Sequence, residues 1–406
     1  MPPSATLNVV KTQLVIFGIT GDLAGRKLLP ALDAIIATGE YDDLSIIGVS
    51  RRTVDKAELL VDHPLLQDRT QMYTMDLADP QAYRELKSFI ESEPADHTLF
   101  YLSVPPGASA GIVDFLGEAG LSTARYRVLF EKPFGFDLIS AQEFITRTAR
   151  YFDEAQLYRI DHYMGKEIAA ELLRLRQNAE NHHHHWSNQS VKSITIAATE
   201  TLGIEGRVQF YEQTGALRDF VQGHLMQLAS LVLTRTPHLA DLPAQRLAAL
   251  KELVPINPDQ AIRAQYDTYQ DEVQNEGSQT ETFVACVCES AHPAWQGVPI
   301  RFVTGKALAE KRSYVEIEYQ DGARDMFDES QLMTRDGRHL DAYERVLIEA
   351  LHGRKEIFTS SAEVIRSWEI LAPLQAAWSM DDTPLPRYAK GAVPTQLTSY
   401  QKSADL

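Results

Sequence analysis

Apolar residues in the first part of this chain gather in short runs. Leu14-Val15-Ile16-Phe17 ends at Gly18, and Leu44 to Val49, His97 to Val104, Arg127 to Phe130 and Leu157 to Ile160, mainly apolar with a few polar positions, also read as strands. A run of this length closed by a breaker predicts a strand buried on both faces, because a half-exposed strand would alternate with polar residues. Pro105-Pro106 and Pro133 supply two of the breaks, since proline cannot donate to a strand ladder. Between the runs the spacing becomes helical, as in Leu23 to Thr38, Ser109 to Glu118 and Ser140 to Tyr151. Strands alternating with helices predict a parallel sheet covered on both sides.

Near residue 190 the pattern changes. Val191 to Thr199 alternates like a strand, and Arg207 to Tyr211 reads as another. Leu217 to Leu233 has helical spacing. Glu281 to Cys288, Ile300 to Thr304 and Ser313 to Tyr319 read as strands, followed by helices at Asp341 to Leu351 and Ser361 to Trp378. Thr236 to Ala264, rich in Leu, Pro and Ala, reads as helical or irregular, and 392–406 as a loose polar tail. The expected architecture is an α/β dinucleotide-binding (Rossmann-like) domain over 1–175 and an α+β domain with a mainly antiparallel sheet over 176–406. A chain of 406 residues is long enough to bury two cores.

Composition narrows the partners. The net charge of −17 disfavours nonspecific binding to nucleic acid or anionic lipid, so neither is expected as a partner. An anionic small substrate would need a local cluster of cations against that field. No apolar run reaches membrane-spanning length, and the opening residues lack the form of a secretion signal. The two cysteines, Cys286 and Cys288, lie two apart on a strand-like run and cannot form a disulfide framework. These features predict a cytoplasmic protein.

The first strand–helix junction reads Gly18-Ile19-Thr20-Gly21-Asp22-Leu23-Ala24. Glycines there let the backbone turn tightly and approach a pyrophosphate, while the helix N-terminus offers N–H groups to its charge. Gly21 takes the middle role and Ala24 the packing role of the usual glycine pattern. The second strand ends in Arg51-Arg52, where an NAD site would place an acidic side chain. Arginine suits a ribose 2′-phosphate instead, with Arg51 the main contact. Pro105-Pro106 would form a rigid loop beside the cofactor.

Glu131-Lys132-Pro133-Phe134-Gly135 closes another strand, where Lys132 could orient a sugar hydroxyl or the nicotinamide amide. Arg159-Ile160-Asp161-His162-Tyr163-Met164-Gly165-Lys166 gathers an acid, an imidazole, a phenol and an ammonium. Helical spacing from Tyr163 sets Tyr163 and Lys166 on one face, as a phosphate clamp. On an α-helix Asp219 and His224 would diverge by about 140°. A histidine base needs a partner on its other ring nitrogen, and Asp161 is the candidate. The run His182 to His185 reads as structural or surface rather than metal-binding, since adjacent side chains do not converge on one ion.

These segments together resemble the glucose-6-phosphate dehydrogenase family. The match is carried by Gly18 to Ala24, Glu131 to Gly135, Arg159 to Glu167, Gly203 to Arg207, Arg218 to His224, Gly297 to Leu308 and Asp341 to Arg345. The resemblance implies NADP-dependent oxidation of a hexose 6-phosphate at C1, glucose 6-phosphate first, without a metal. It implies His224 as the base and Asp161 as its orienting partner. It implies His162, Tyr163, Lys166 and Lys311 at the phosphate, with Lys306 nearby, and Lys132, Glu200 and Asp219 at sugar hydroxyls. Gly18, Thr20, Gly21, Asp22, Leu23, Arg51, Pro105 and Lys132 are the implied cofactor residues. The same chemistry on an amino or epimeric hexose 6-phosphate is an alternative, and a catalytically silent NADP-binding regulator another. The chain is shorter than usual members, and Gly223 stands where an asparagine usually precedes the histidine. The stretch between Val315 and Asp341 is too short for the family's full set of sheet strands. The family's usual sheet interface is therefore not expected, so that a homo-oligomer would need another surface, and a second, structural NADP is not expected either.

Overall fold

The apolar runs become the middle of a parallel sheet. In the computed structural model, which describes residues 11–93, 95–177, 186–234, 241–334 and 339–394, the first six strands are β1 (Thr12–Phe17), β2 (Leu44–Ser50), β3 (Thr70–Thr74), β4 (His97–Leu102), β5 (Tyr126–Phe130) and β6 (Leu157–Ile160). Their order across the sheet is β6-β5-β4-β1-β2-β3, all parallel, with Phe358–Thr359 added antiparallel beside β6. The direction of winding reverses between β1 and β4, where Phe17 pairs with Leu102. Such a reversal leaves a crevice at the carboxyl ends of the strands. β1 is buried at every position, which is why its sequence shows no alternation.

β3 carries no apolar run and was not expected. Thr70-Gln71-Met72-Tyr73-Thr74 is an edge strand, largely half-exposed or exposed, so its sequence needs little hydrophobicity.

The chain packs as two compact units. The first lies within Met1–Phe134, Glu143–Asp161 and Leu340–Ser360, and the second within Gly135–Gln142, His162–His339 and Ser361–Leu406. The sequence reading drew one boundary at 175/176. By packing, Leu340–Ser360 groups with the first unit, because the helix Ala342–Leu351 buries Tyr343, Val346, Leu347 and Ala350 in one core with Leu28, Leu32 and Ile35.

The second unit holds a mainly antiparallel sheet of β7 (Val191–Thr199), β8 (Ala261–Tyr266), β9 (Phe283–Cys288), β10 (Ile300–Gly305), β11 (Arg312–Tyr319) and β12 (Arg324–Asp328). The order is β12-β11-β7-β10-β9-β8, closed by Arg387–Tyr388. The β7–β10 pair is parallel, as is the final two-residue strand beside β8. Tyr211, Tyr266, Tyr269, Phe283, Val303 and Tyr388 share a core on this sheet.

Two expectations change here. Arg207 to Tyr211 is not a strand: Val208–Ala216 is a helix burying Tyr211, Thr214 and Ala216. Four bulky residues in a row mimic a strand locally, and the tertiary contact of Tyr211 decides otherwise. The segment before Ala264 contains the expected helix, Leu242–Lys251, but then β8. Cys286 and Cys288 are buried free thiols on β9. The histidine run 182–185 lies outside the described residues. Among the described residues, no helix is long and apolar enough to cross a membrane.

Candidate functional site

The candidate residues fall into two sets, one in each unit. In the first unit they stand at the carboxyl ends of the strands. Gly18 follows β1 with φ of +81°, and a Cβ placed on it would lie 2.2 Å from the Ser103 carbonyl oxygen. Only glycine fits both the conformation and the approach. Gly21 N–H donates to the Gly18 carbonyl at 2.9 Å, closing the turn. Thr20, Gly21 and Asp22 are exposed, and Leu23 leads into a first helical turn of π type, Ala24–Leu28. Asp22 pairs with Arg26 at 3.4 Å. Arg51 and Arg52 are exposed just beyond β2, and exposed Pro105 caps the helix Pro106–Glu118 after β4.

These features fit a dinucleotide. The glycine turn leaves a cradle that a side chain would fill, the helix start offers N–H donors, and Arg51 and Arg52 lie exposed at the end of the neighbouring strand.

Glu131 and Lys132 follow β5, and Asp161 follows β6, only 2% exposed. Tyr101 on β4 donates a hydrogen bond to the Glu131 carboxyl. Burial pushes the Glu131 pKa up to about 7, the Tyr101 bond pulls it down, and the Asp161 charge raises it again. Neither Tyr101 nor Glu131 was picked out from the sequence. The signal was available in an acid directly preceding Lys132 at a strand end.

In the second unit, His162–Gly165 forms a single 3-10 turn. That turn sets Lys166 over Tyr163: the Lys166 N–H bonds the Tyr163 carbonyl at 3.1 Å, and its Nζ sits 3.4 Å from the ring centroid. The expected pairing of Tyr163 with Lys166 is present. The Tyr163 hydroxyl lies 3.0 Å from Ser313 Oγ on β11.

His224 packs against the same tyrosine. Their rings stack with centroids 4.4 Å apart and planes 21° apart, while His162 meets His224 edge-on at 4.5 Å. Phe220 touches His224 at 5.4 Å and Tyr163 at 6.0 Å. His224 and Tyr163 are each 4% exposed.

Leu217–Leu225, which carries Asp219 and His224, is a π-helix rather than an α-helix. Its bonds run between residues five apart, so side chains five apart come round to nearly the same face. The wide angle expected between Asp219 and His224 is corrected accordingly. The helix is anchored at its start by buried Glu281, whose carboxylate accepts the Leu217 N–H at 2.9 Å and whose carbonyl accepts that of Ala216 at 2.9 Å. Gly215 beside it has no room for a side chain: a Cβ would lie 2.5 Å from Glu281 Oε1.

Glu200 and Lys306 follow the paired ends of β7 and β10, where Thr199 stands opposite Gly305. Lys306 is 3% exposed, bonded to Glu200 and 3.7 Å from an Asp219 carboxylate oxygen. Its Nζ lies 5.2 Å from the Tyr211 ring centroid and 5.6 Å from that of Phe220. Lys306 thus belongs with the two carboxylates expected at sugar hydroxyls. Lys311 is exposed at the start of β11, while Arg312 pairs with Asp328 at 2.5 Å. Tyr211, Phe220 and Ser313 were missed in the sequence. Of these, Phe220 carried a signal, as an aromatic residue four before His224. Among the described residues no group of His, Cys, Asp and Glu is arranged to hold a metal ion.

The family model described as glucose-6-phosphate dehydrogenase, NAD binding domain, matches residues 15–170. The model for the C-terminal domain of the same family matches residues 173–338 and 331–404. The glucose-6-phosphate 1-dehydrogenase of Dickeya dadantii is 30% identical, with 93% of each chain covered. That of Helicobacter pylori is 32% identical over 92% of this chain and 95% of its own. A solved glucose-6-phosphate dehydrogenase in complex with its substrate glucose-6-phosphate is similar at a TM-score of 0.88, with 26% identity and 97% of each chain covered. The glucose-6-phosphate 1-dehydrogenase from Mycobacterium avium is similar at 0.81, with 28% identity over 97% of this chain and 98% of that one.

Proposed function

The chain belongs to the glucose-6-phosphate dehydrogenase family, and from that premise we propose that it oxidises glucose 6-phosphate at C1 to the lactone with NADP. The observation that carries this reading is the packing of His224 on Tyr163 and against His162, with the Lys166 ammonium on the same tyrosine ring. A base and the cations for a phosphate form one cluster, in a chain whose net charge of −17 would otherwise repel that substrate.

Gly18, Thr20, Gly21, Asp22, Leu23, Arg51, Pro105 and Lys132 would hold the cofactor, which when bound supplies the acceptor for the C1 hydride. The chain's own residues do the rest. His224 takes the proton from the C1 hydroxyl, and Asp161 orients the imidazole and stabilises its charged form. His162, Tyr163, Lys166 and Lys311 hold the 6-phosphate, a group that takes no part in the bond changes at C1. Binding there fixes the reacting carbon, converting remote binding energy into orientation. Lys132, Glu200 and Asp219 receive the sugar hydroxyls. Lys306, held by Glu200 and Asp219, keeps two carboxylates close together without mutual repulsion.

The test mixes the protein, NADP and glucose 6-phosphate and follows the near-ultraviolet absorbance of reduced nicotinamide. Absorbance should rise with glucose 6-phosphate and stay flat with no sugar. A rise only with an amino or epimeric hexose 6-phosphate would keep the chemistry and replace the substrate. No rise with any of them would remove the proposal.

A further inference from the structure

Tyr163 occupies the centre of the second unit's cluster, touching more of it than a phosphate ligand needs to. Its ring carries the Lys166 ammonium at 3.4 Å and the His224 imidazole at 4.4 Å, and meets His162 edge-on at 5.2 Å. The ring itself is fixed from two sides. Phe220, one turn before His224, packs edge-on against it at 6.0 Å, and its hydroxyl reaches Ser313 Oγ on β11 at 3.0 Å.

We propose that the ring of Tyr163 is a positioning element for the reaction: it is the shared wall that sets the imidazole of His224 and the ammonium of Lys166 relative to each other. This rests on the reading of His224 as the base. It assigns to the ring a role separate from any bond that the hydroxyl makes to phosphate.

The physical argument is one of orientation. An imidazole stacked at 21° on a buried aromatic face has lost its freedom to rotate about its outer side-chain bond. A base fixed in this way meets the C1 hydroxyl without a further ordering cost. The same face attracts the Lys166 cation through the ring quadrupole. Replacing the ring by an aliphatic side chain removes both restraints at once. Replacing it by phenylalanine removes neither.

The experiment compares Tyr163→Phe with Tyr163→Leu on glucose 6-phosphate and on unphosphorylated glucose, with a thermal melt of each variant as the check on folding. The Phe variant, which loses the hydroxyl and its bonds but keeps the ring, is the reference for kcat. The Leu variant should lose roughly 30-fold or more in kcat relative to Phe, by a similar factor on both sugars. If the Leu variant does not melt cooperatively, Tyr163→Met carries the same comparison. Equal kcat for the Phe and aliphatic variants would overturn the proposal. So would a defect confined to KM for the phosphorylated sugar and absent with glucose, which would leave the ring serving phosphate alone. His224→Asn separates the two levels: if it retains turnover, the reading of the base has failed. If it is inactive while the aliphatic variants turn over normally, only the role of Tyr163 has failed.

Discussion

Tyr101 donates its phenolic hydrogen bond to the carboxyl of Glu131, from the middle of the first unit's sheet to the end of the neighbouring strand. The pair stands beside Asp161, and burial holds the Glu131 pKa at about 7. A carboxyl whose pKa is higher in the folded state binds its proton more tightly there. Its contribution to stability is whole below the ordinary value of 4.5 and is lost as pH rises through about 7. Glu131→Gln imitates the protonated form at every pH. Thermal melts across that window should show the variant gaining on the parent as pH rises, by on the order of 1–2 kcal/mol. Parallel stability curves for the two proteins would mean that Glu131 does not titrate there.

His224→Asn should lower kcat by roughly 10²–10⁴-fold, the usual worth of a positioned general base. NADP affinity should be little changed. Steady-state rates and calorimetry read the two quantities separately, and substantial residual turnover would point to another base.

Legibility of the fold followed the local physics. β1 and the Gly18–Gly21 turn could be read because the centre of a strand buried on both faces, Leu14 to Phe17, is apolar without a break and the turn after it needs glycine. β3 could not, because an edge strand tolerates Thr70 and Gln71 as well as any apolar residue. Arg207 to Tyr211 misled because five residues do not distinguish a strand from a helix start. The π-helix from Leu217 to Leu225 had no sequence signature, since its wider hydrogen-bond register leaves the apolar spacing nearly helical. The site residues were legible as chemical types in strand-end positions. What the sequence concealed was who holds whom: Lys306 with Glu200 and Asp219, and Tyr163 beneath His224.

Arg51→Ala should weaken NADP by about 10–100-fold, the loss of one or two hydrogen bonds to a doubly charged phosphate, and leave NAD nearly untouched. Measuring kcat/KM with each cofactor settles it. Equal losses would move the 2′-phosphate contact away from Arg51, with Arg52 next to test.

Gly18→Ala places a methyl group 2.2 Å from the Ser103 carbonyl in a backbone conformation with φ of +81°. Stability should fall by more than about 1 kcal/mol, because both the conformation and the contact are unfavourable. NADP affinity should fall with it, since the same turn would receive the pyrophosphate. A denaturant titration and a binding titration on one sample check both, and an unchanged denaturation midpoint would contradict the crowding at this turn.

The helix Ala342–Leu351 and the strand Phe358–Thr359 complete the first unit from far along the polypeptide, Phe358 pairing with Ile160 and stacking edge-on against Tyr158 at 4.8 Å. During synthesis the nucleotide-binding half therefore waits on the ribosome. Its opening strands emerge early, but the greasy flank formed by Leu28, Leu32 and Ile35 stays uncovered until nearly all of the other half has been made. A message broken before codon 340 would yield a polypeptide with that flank bare, prey to proteases and aggregation rather than a small working nucleotide binder.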